Sequence, residues 1–227
     1  MNRIAAALAP EYPTYQEGVE ASFQFAAGGI GQPPLQSTHK TITVRTASGK
    51  TAVSVTPSGI TYETGEYDSR RTMLAHLETL LSAAFPVIEA ASFDRIGVRY
   101  SNLFSRDQQL THNVRSSLFE AEELATEGAR LSQSVSEAVY AIDAATSLLV
   151  RSALLPTNVS IDPGIVVPVD GPGVFLLDLD SFTTTPTINT GVTAVLGKVD
   201  ELAQRAAGYF LWSLKPAGAK ALGAASE

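Results

Sequence analysis

Residues 39–67 read HKTITVRTASGKTAVSVTPSGITYETGEY, three β-branched runs broken by Ser-Gly and Pro-Ser-Gly. Short β-branched runs separated by such turn signals predict consecutive antiparallel strands, a meander of 39–49, 50–59 and 60–67. Upstream, YQEGVEASFQF (15–25) alternates, with Val19, Ala21, Phe23 and Phe25 on one face and Glu20, Ser22 and Gln24 on the other. That predicts a half-buried strand. AAGGIGQPPLQ (26–36) holds glycines and paired prolines that propagate neither helix nor ladder, so it reads as a loop. Downstream, DSRRTMLAHLETLLSAAFPVI (68–88) changes the period from 2 to 3.6. Met73, Leu77, Leu80 and Leu81 fall on one stripe, Asp68 or Ser69 is placed as N-cap, and Pro86 stops the helix.

The second half repeats the mixture. SFDRIGVRYSNLF (92–104) reads as a strand with Ile96, Val98 and Tyr100 on one face and Arg95, Gly97 and Arg99 on the other. Residues 114–126 are rich in Ala and Glu and predict helix, whereas 133–155 predict strands. The stretch 156–173 is a Pro- and Gly-rich loop, 174–182 (VFLLDLDSF) a strand and 183–191 a loop. A long helix follows from 192, with Val195, Val199, Leu202, Ala206, Tyr209 and Phe210 near one stripe and Pro216 ending it. A long meander with few helices predicts an α+β fold of antiparallel sheets with packing helices, arranged as two similar sheet-plus-helix units. The division expected is 1–105 and 106–227 within one compact body.

The 227 residues carry 44% apolar and 17% charged side chains and a net charge of −7. The charged share is below the roughly 25% of ordinary soluble domains, as in surfaces covered by another subunit. An acidic balance argues against nucleic acid as a partner, because a phosphate backbone is held by clustered Lys and Arg. With no cysteine, thiolate nucleophiles, disulfides, Cys-type zinc sites and iron–sulfur clusters are excluded. No apolar run is long enough for a membrane span, and the start MNRIAAALAPEYPTY reaches its prolines too early for a secretory segment. The expectation is a cytoplasmic protein with no cofactor and no membrane contact.

The chemistry-bearing constellations are few. Asp178 and Asp180 sit at strand spacing, so both carboxylates leave one face roughly 7 Å apart. Such a pair is a weak candidate for Mg²⁺ or Mn²⁺. Arg95 and Arg99 offer two guanidinium forks on one face, suited to an anion or to those aspartates. The reading adopted is an ion-pair layer of Arg95, Arg99, Asp178 and Asp180 where the central strands meet, setting sheet register. His39, His76 and His112 show no H-x-x-H or H-E-x-x-H spacing. AGGIGQ lacks the Lys-Ser/Thr and the helix that a phosphate-cradling loop needs, and no serine lies in G-x-S-x-G. Catalytic residues therefore stay unknown.

FDRIGVRYSNLF, with YPTYQEGVEASFQF upstream, FLLDLDSF later and the terminal LAQRAAGYFLWSL, resembles the TIGR04255 family of bacterial and phage proteins. The family carries an R-I-G-x-R-Y-x-N strand, an L-x-D-x-D strand and a final helix with an aromatic, a small residue and Leu; here Ser101 stands where Ile is commoner. The resemblance implies a stand-alone bacterial protein and supplies no catalytic residue. Three functions follow as expectations. The first is a non-enzymatic binding or assembly protein, oligomeric through β-branched strands that pair across a dimer, with itself or another protein as partner. The alternatives are a metal- or phosphate-dependent enzyme using the Asp and Arg pairs in nucleotide signalling or phage defence, and a chaperone-like module with a broad apolar groove.

Overall fold

In the computed structural model, which describes residues 2–24, 35–88, 92–107, 109–118, 131–159, 171–188 and 191–222, the β-branched runs form an antiparallel meander. Strands β1 (Thr14–Gln24), β2 (Leu35–Arg45), β3 (Thr51–Thr56) and β4 (Gly59–Thr64) lie in the order β1-β2-β3-β4. The chain divides into two compact units, 1–90 and 91–227. The fold is α+β, each unit carrying one four-stranded antiparallel sheet with its own helices.

In the first unit, Ile42 and Val44 of β2 stand opposite Val55 and Val53 of β3, and all four are buried on one face. Helix α2 (Arg70–Ala84) covers that face with Leu80 and Ala84. Of the two cap candidates, Ser69 performs the role: its Oγ accepts the N–H of Thr72 at 3.1 Å, satisfying an otherwise orphan donor. Helix α1 (Asn2–Leu8) adds Ile4, Ala5 and Leu8 to the same core. The sequence gives no expectation of this helix, because seven residues are too few to show a period and too few to be stable without tertiary burial. A second correction concerns Val19, expected on a core face but 71% exposed. It pairs with Lys40, whereas β3 reaches only residues 42–45 of β2. Among the described residues, the antiparallel β1–β2 pair thus runs on past β3 as a two-stranded ribbon. Phe25 and the loop expected at 26–34 lie outside the described residues.

The second unit orders β5 (Gly97–Ser105), β6 (Ser134–Ala141), β7 (Thr146–Leu155) and β8 (Val174–Thr183) as β5-β8-β7-β6. The expected boundary after residue 105 moves to 90, because β5 is hydrogen-bonded to β8 along its whole length, from Gly97↔Phe182 to Ser105↔Val174. Leu148, Val150 and Leu154 of β7 and Phe175, Leu177 and Leu179 of β8 face helix α4 (Val192–Ser213), which buries Ala206 against them and half-buries Tyr209 and Phe210. The helix expected at 114–126 is not what stands at its described start. Val114 forms a bridge with Leu214, and Ser116–Leu118 is a single 3₁₀ turn; residues 119–130 lie outside the described residues. A one-turn helix α3 (Leu110–Asn113) precedes the bridge, and α5 (Pro216–Ala221) follows it, with Pro216 opening the new helix.

The junction is closed by the N–H of Arg115 donating to the Ser213 carbonyl and that of Lys215 to the Asn113 carbonyl. Gly218 of α5 is buried directly over the Asn113 carbonyl, where a Cβ would come within 2.3 Å of that oxygen. Gly208, exposed in mid-α4, has nothing within 4 Å of such a Cβ. Gly218→Ala is expected to destabilise the second unit by about 1–3 kcal/mol through overpacking. Gly208→Ala is expected to stabilise it by about 0.5–1 kcal/mol through helix propensity. Chemical denaturation of the two variants checks the pair, and equal effects would refute the close approach.

Candidate functional site

Row by row across the second sheet, Ser101, Asp178, Arg151 and Glu137 stand directly opposite one another on β5, β8, β7 and β6. The next row is Arg99, Asp180, Leu149 and Val139. All these side chains leave the face opposite α4.

Asp178 is the centre of the layer, with its side chain 2% exposed. Its Oδ1 accepts Arg99 Nε at 2.8 Å and the Ser101 hydroxyl at 2.9 Å. Its Oδ2 accepts Arg99 Nη2 at 2.8 Å and Arg151 Nη1 at 3.2 Å. Arg99 thus reaches diagonally to Asp178 in a bidentate fork, the strongest geometry for this pair. Arg151 spends its other edge on Glu137, with Nε and Nη2 donating to Oε2 at 3.1 and 2.8 Å. Arg95, just before β5, donates to Asp180 Oδ2 at 2.6 Å and lies over the Phe182 ring at 4.6 Å. Gly97 gives that guanidinium room, since a Cβ there would come within 2.9 Å of Arg95 Nη1. The structure therefore brings Arg95 to Asp180 and Arg99 to Asp178.

Two members of the layer, Arg151 and Glu137, are absent from the sequence reading. The signal is a single charge inside each of the strands TSLLVRSALL and SVSEAVYA. Without a register, nothing in the sequence places those charges opposite Asp178.

For Asp178 the metal reading meets a chemical obstacle: four hydrogen bonds occupy its two oxygens, and a cation would have to displace the Arg99 fork, Arg151 and Ser101. Among the described residues no group of three or more His, Asp or Glu is placed to hold a metal. His76 of α2 shares a 3.0 Å hydrogen bond between its Nδ1 and the Tyr62 hydroxyl. His39 lies on β2 and His112 on α3. AGGIGQ (26–31) lies outside the described residues.

At the far end of β6 and β7, the Asp143 carboxylate accepts the Thr146 hydroxyl at 2.6 Å, the Ala145 N–H at 2.8 Å and Arg205 of α4 at 2.9 Å. The Thr146 hydroxyl, the Ala145 amide and Arg205 hold the Asp143 carboxyl below the usual carboxylate range. Lys198 first, and Arg205 with it, lower that of Glu201. Beside this turn the sheet edge is apolar. Tyr140 lies 6.0 Å from Tyr209, and Tyr209 lies 5.1 Å from Trp212, which Arg115 covers at 5.2 Å. Burial, then the Tyr140 hydroxyl, pushes the Tyr209 phenol up to about 12. Tyr140, Ile142, Leu211 and Trp212 are 47%, 45%, 54% and 49% exposed. No helix among the described residues is long and apolar enough to cross a membrane. No protein family, curated protein or solved structure matches the chain.

Two expected outcomes follow. In a double-mutant cycle read by denaturation, Arg151→Ala costs more in the native background than beside Asp178→Asn, with a coupling of roughly 0.5–3 kcal/mol. Additive effects would mean that the layer is not energetically joined. Asp143 has a depressed folded pKa, so its contribution to stability is complete above its unfolded value, about 3.9, and is lost as pH falls through the folded value. Carboxyl-carbon NMR should show Asp143 titrating below that value, and Thr146→Val should move its midpoint upward; an unchanged midpoint would refute the assignment of cause.

Proposed function

We propose that the chain is a non-enzymatic assembly protein that associates with a second copy of itself through strand surfaces of its second unit. The observation that carries this reading is β6. All of β6 from Val135 to Ala141 is exposed, with Val135 at 52% and Val139 at 62%. Among the described residues its one strand neighbour is β7. An exposed strand edge with apolar side chains is a template for another strand, and its Tyr140 continues through Tyr209 to the exposed Trp212 of α4.

The polar layer supports assembly over catalysis. Three arginines meet three carboxylates, so the layer is neutral as a whole, and its buried carboxylate is saturated with donors. A catalytic acid or base needs a lone pair or proton directed at a substrate, and Asp178 directs both oxygens at the protein. We also propose membership of the TIGR04255 family, on its R-I-G-x-R-Y-x-N and L-x-D-x-D sequence motifs, which in this chain lie along the neighbouring strands β5 and β8.

Light scattering coupled to native mass spectrometry of one sample tests the function. The expected result is a mass that is a multiple of the 24.0 kDa chain with no retained small molecule. A strict monomer carrying a metal or nucleotide would overturn the reading.

A further inference from the structure

The inference rests on the assembly reading and specifies its geometry. The N–H of Ile142 donates to the Thr146 carbonyl at 3.0 Å at the turn between β6 and β7. Antiparallel alternation then directs the backbone groups of residues 134, 136, 138 and 140 toward β7 and those of Val135, Glu137, Val139 and Ala141 outward. The outward edge is thus a row of alternating donors and acceptors along one strand. Only another strand meets such a row group for group.

Edge strands are ordinarily protected by lysine, proline, a bulge or an exposed charge. The register of β6 with β7 runs uninterrupted from Ser134↔Leu154 to Ala141↔Ser147, and SVSEAVYA contains neither lysine nor proline. Its one charge, the half-exposed Glu137, is paired with Arg151 at 2.8 Å, so a copy that does not set Glu137 directly against itself meets an ion pair and not a lone carboxylate.

We propose that two copies pair β6 with β6, antiparallel, about a two-fold axis through Ala138, joining two four-stranded sheets into one. This register places Val135 opposite Ala141, Ser136 opposite Tyr140 and Glu137 opposite Val139, with Ala138 opposite itself. Each large side chain meets a smaller one in the first two pairs, and the smallest contact falls on the axis. Centring the axis on Glu137 would set two carboxylates face to face, which is destabilising. Centring it on Val139 would run Val135 past the end of the strand onto Asp143. The outward groups of Val135, Glu137, Val139 and Ala141 all find partners in the Ala138-centred register.

Two variants test it. The chain has no cysteine, so Ala138→Cys introduces the sole thiol. In a non-hydrogen-bonded antiparallel pair the two Cα atoms stand about 4.5 Å apart, within disulfide range. Mild oxidation should therefore convert this variant to a covalent dimer, while Val139→Cys, which faces Glu137 and not itself, should not. Val139→Pro removes an outward N–H and leaves the ladder to β7 intact, as proline does on edge strands. Its expected effect, read by sedimentation with circular dichroism as the folding control, is loss of the dimer without loss of the sheet. If wild type is multimeric but Ala138→Cys gives no covalent dimer, or if a folded Val139→Pro stays multimeric, assembly uses another surface: the inference falls and the assembly reading stands. A wild type that is strictly monomeric up to millimolar concentration overturns both.

Discussion

A carboxylate that is almost completely out of water must be met by donors, and Asp178 sets that requirement at the middle of the second sheet. The donors come from two strands, Arg99 and Ser101 from β5 and Arg151 from β7, and Arg151 extends the chain of contacts to Glu137 on β6. All four strands of the sheet are thereby committed to one register. A slip of one residue would turn Asp178 into the leucine-rich face beneath α4 and leave the arginines without it. The layer need add little net stability to do this, since desolvating the ions offsets much of their attraction; its effect is to make the alternatives worse.

The other face solves a different problem. There β7 and β8 present leucines, a valine and a phenylalanine, and α4 supplies a stripe of small and aromatic side chains that closes over them. Arg205 of α4 ties the helix to the sheet by donating to Thr146 Oγ1 at 2.6 Å and pairing with Asp143. Among the described residues of this unit, Arg95, Arg99, Arg151, Lys198 and Arg205 are each paired with a carboxylate. Val135, Val139, Tyr140 and Trp212 are exposed in the same unit.

Much of this was legible in the sequence, for identifiable reasons. Period-2 runs and Ser-Gly breaks marked the meander, and the switch to a 3.6 period marked α2 and α4, because each strand and helix buries one face. The common faces of Arg95 and Arg99, and of Asp178 and Asp180, followed from strand alternation alone. Three things did not. Helix α1 is held by burial of Ile4, Ala5 and Leu8, a tertiary effect with no local signature in seven residues. The exposure of Val19 depends on how far β3 reaches along β2. The roles of Arg151 and Glu137, and the place of β5 in the second unit, require the order β5-β8-β7-β6, which no local pattern encodes.

RIGVRYSN (95–102) has the look of a binding motif, yet each of its distinctive letters has a task in the frame. Arg95 reaches Asp180 across Phe182, and Gly97 leaves room for it. The N–H of Ile96 donates to the Thr183 hydroxyl while its carbonyl accepts the Thr183 N–H, extending the ladder past the end of β5. Arg99 and Ser101 complete the shell of Asp178, Tyr100 packs in the core beneath α4, and the Asn102 side-chain amide donates to the Leu177 carbonyl at 3.1 Å. The side-chain hydrogen bonds of Arg95, Arg99, Ser101 and Asn102 run to the neighbouring strand, so the motif fixes geometry. At the far edge of the same sheet, β6 keeps the backbone groups of every second residue outward, and its one charge is already bound to the layer that began at Arg99.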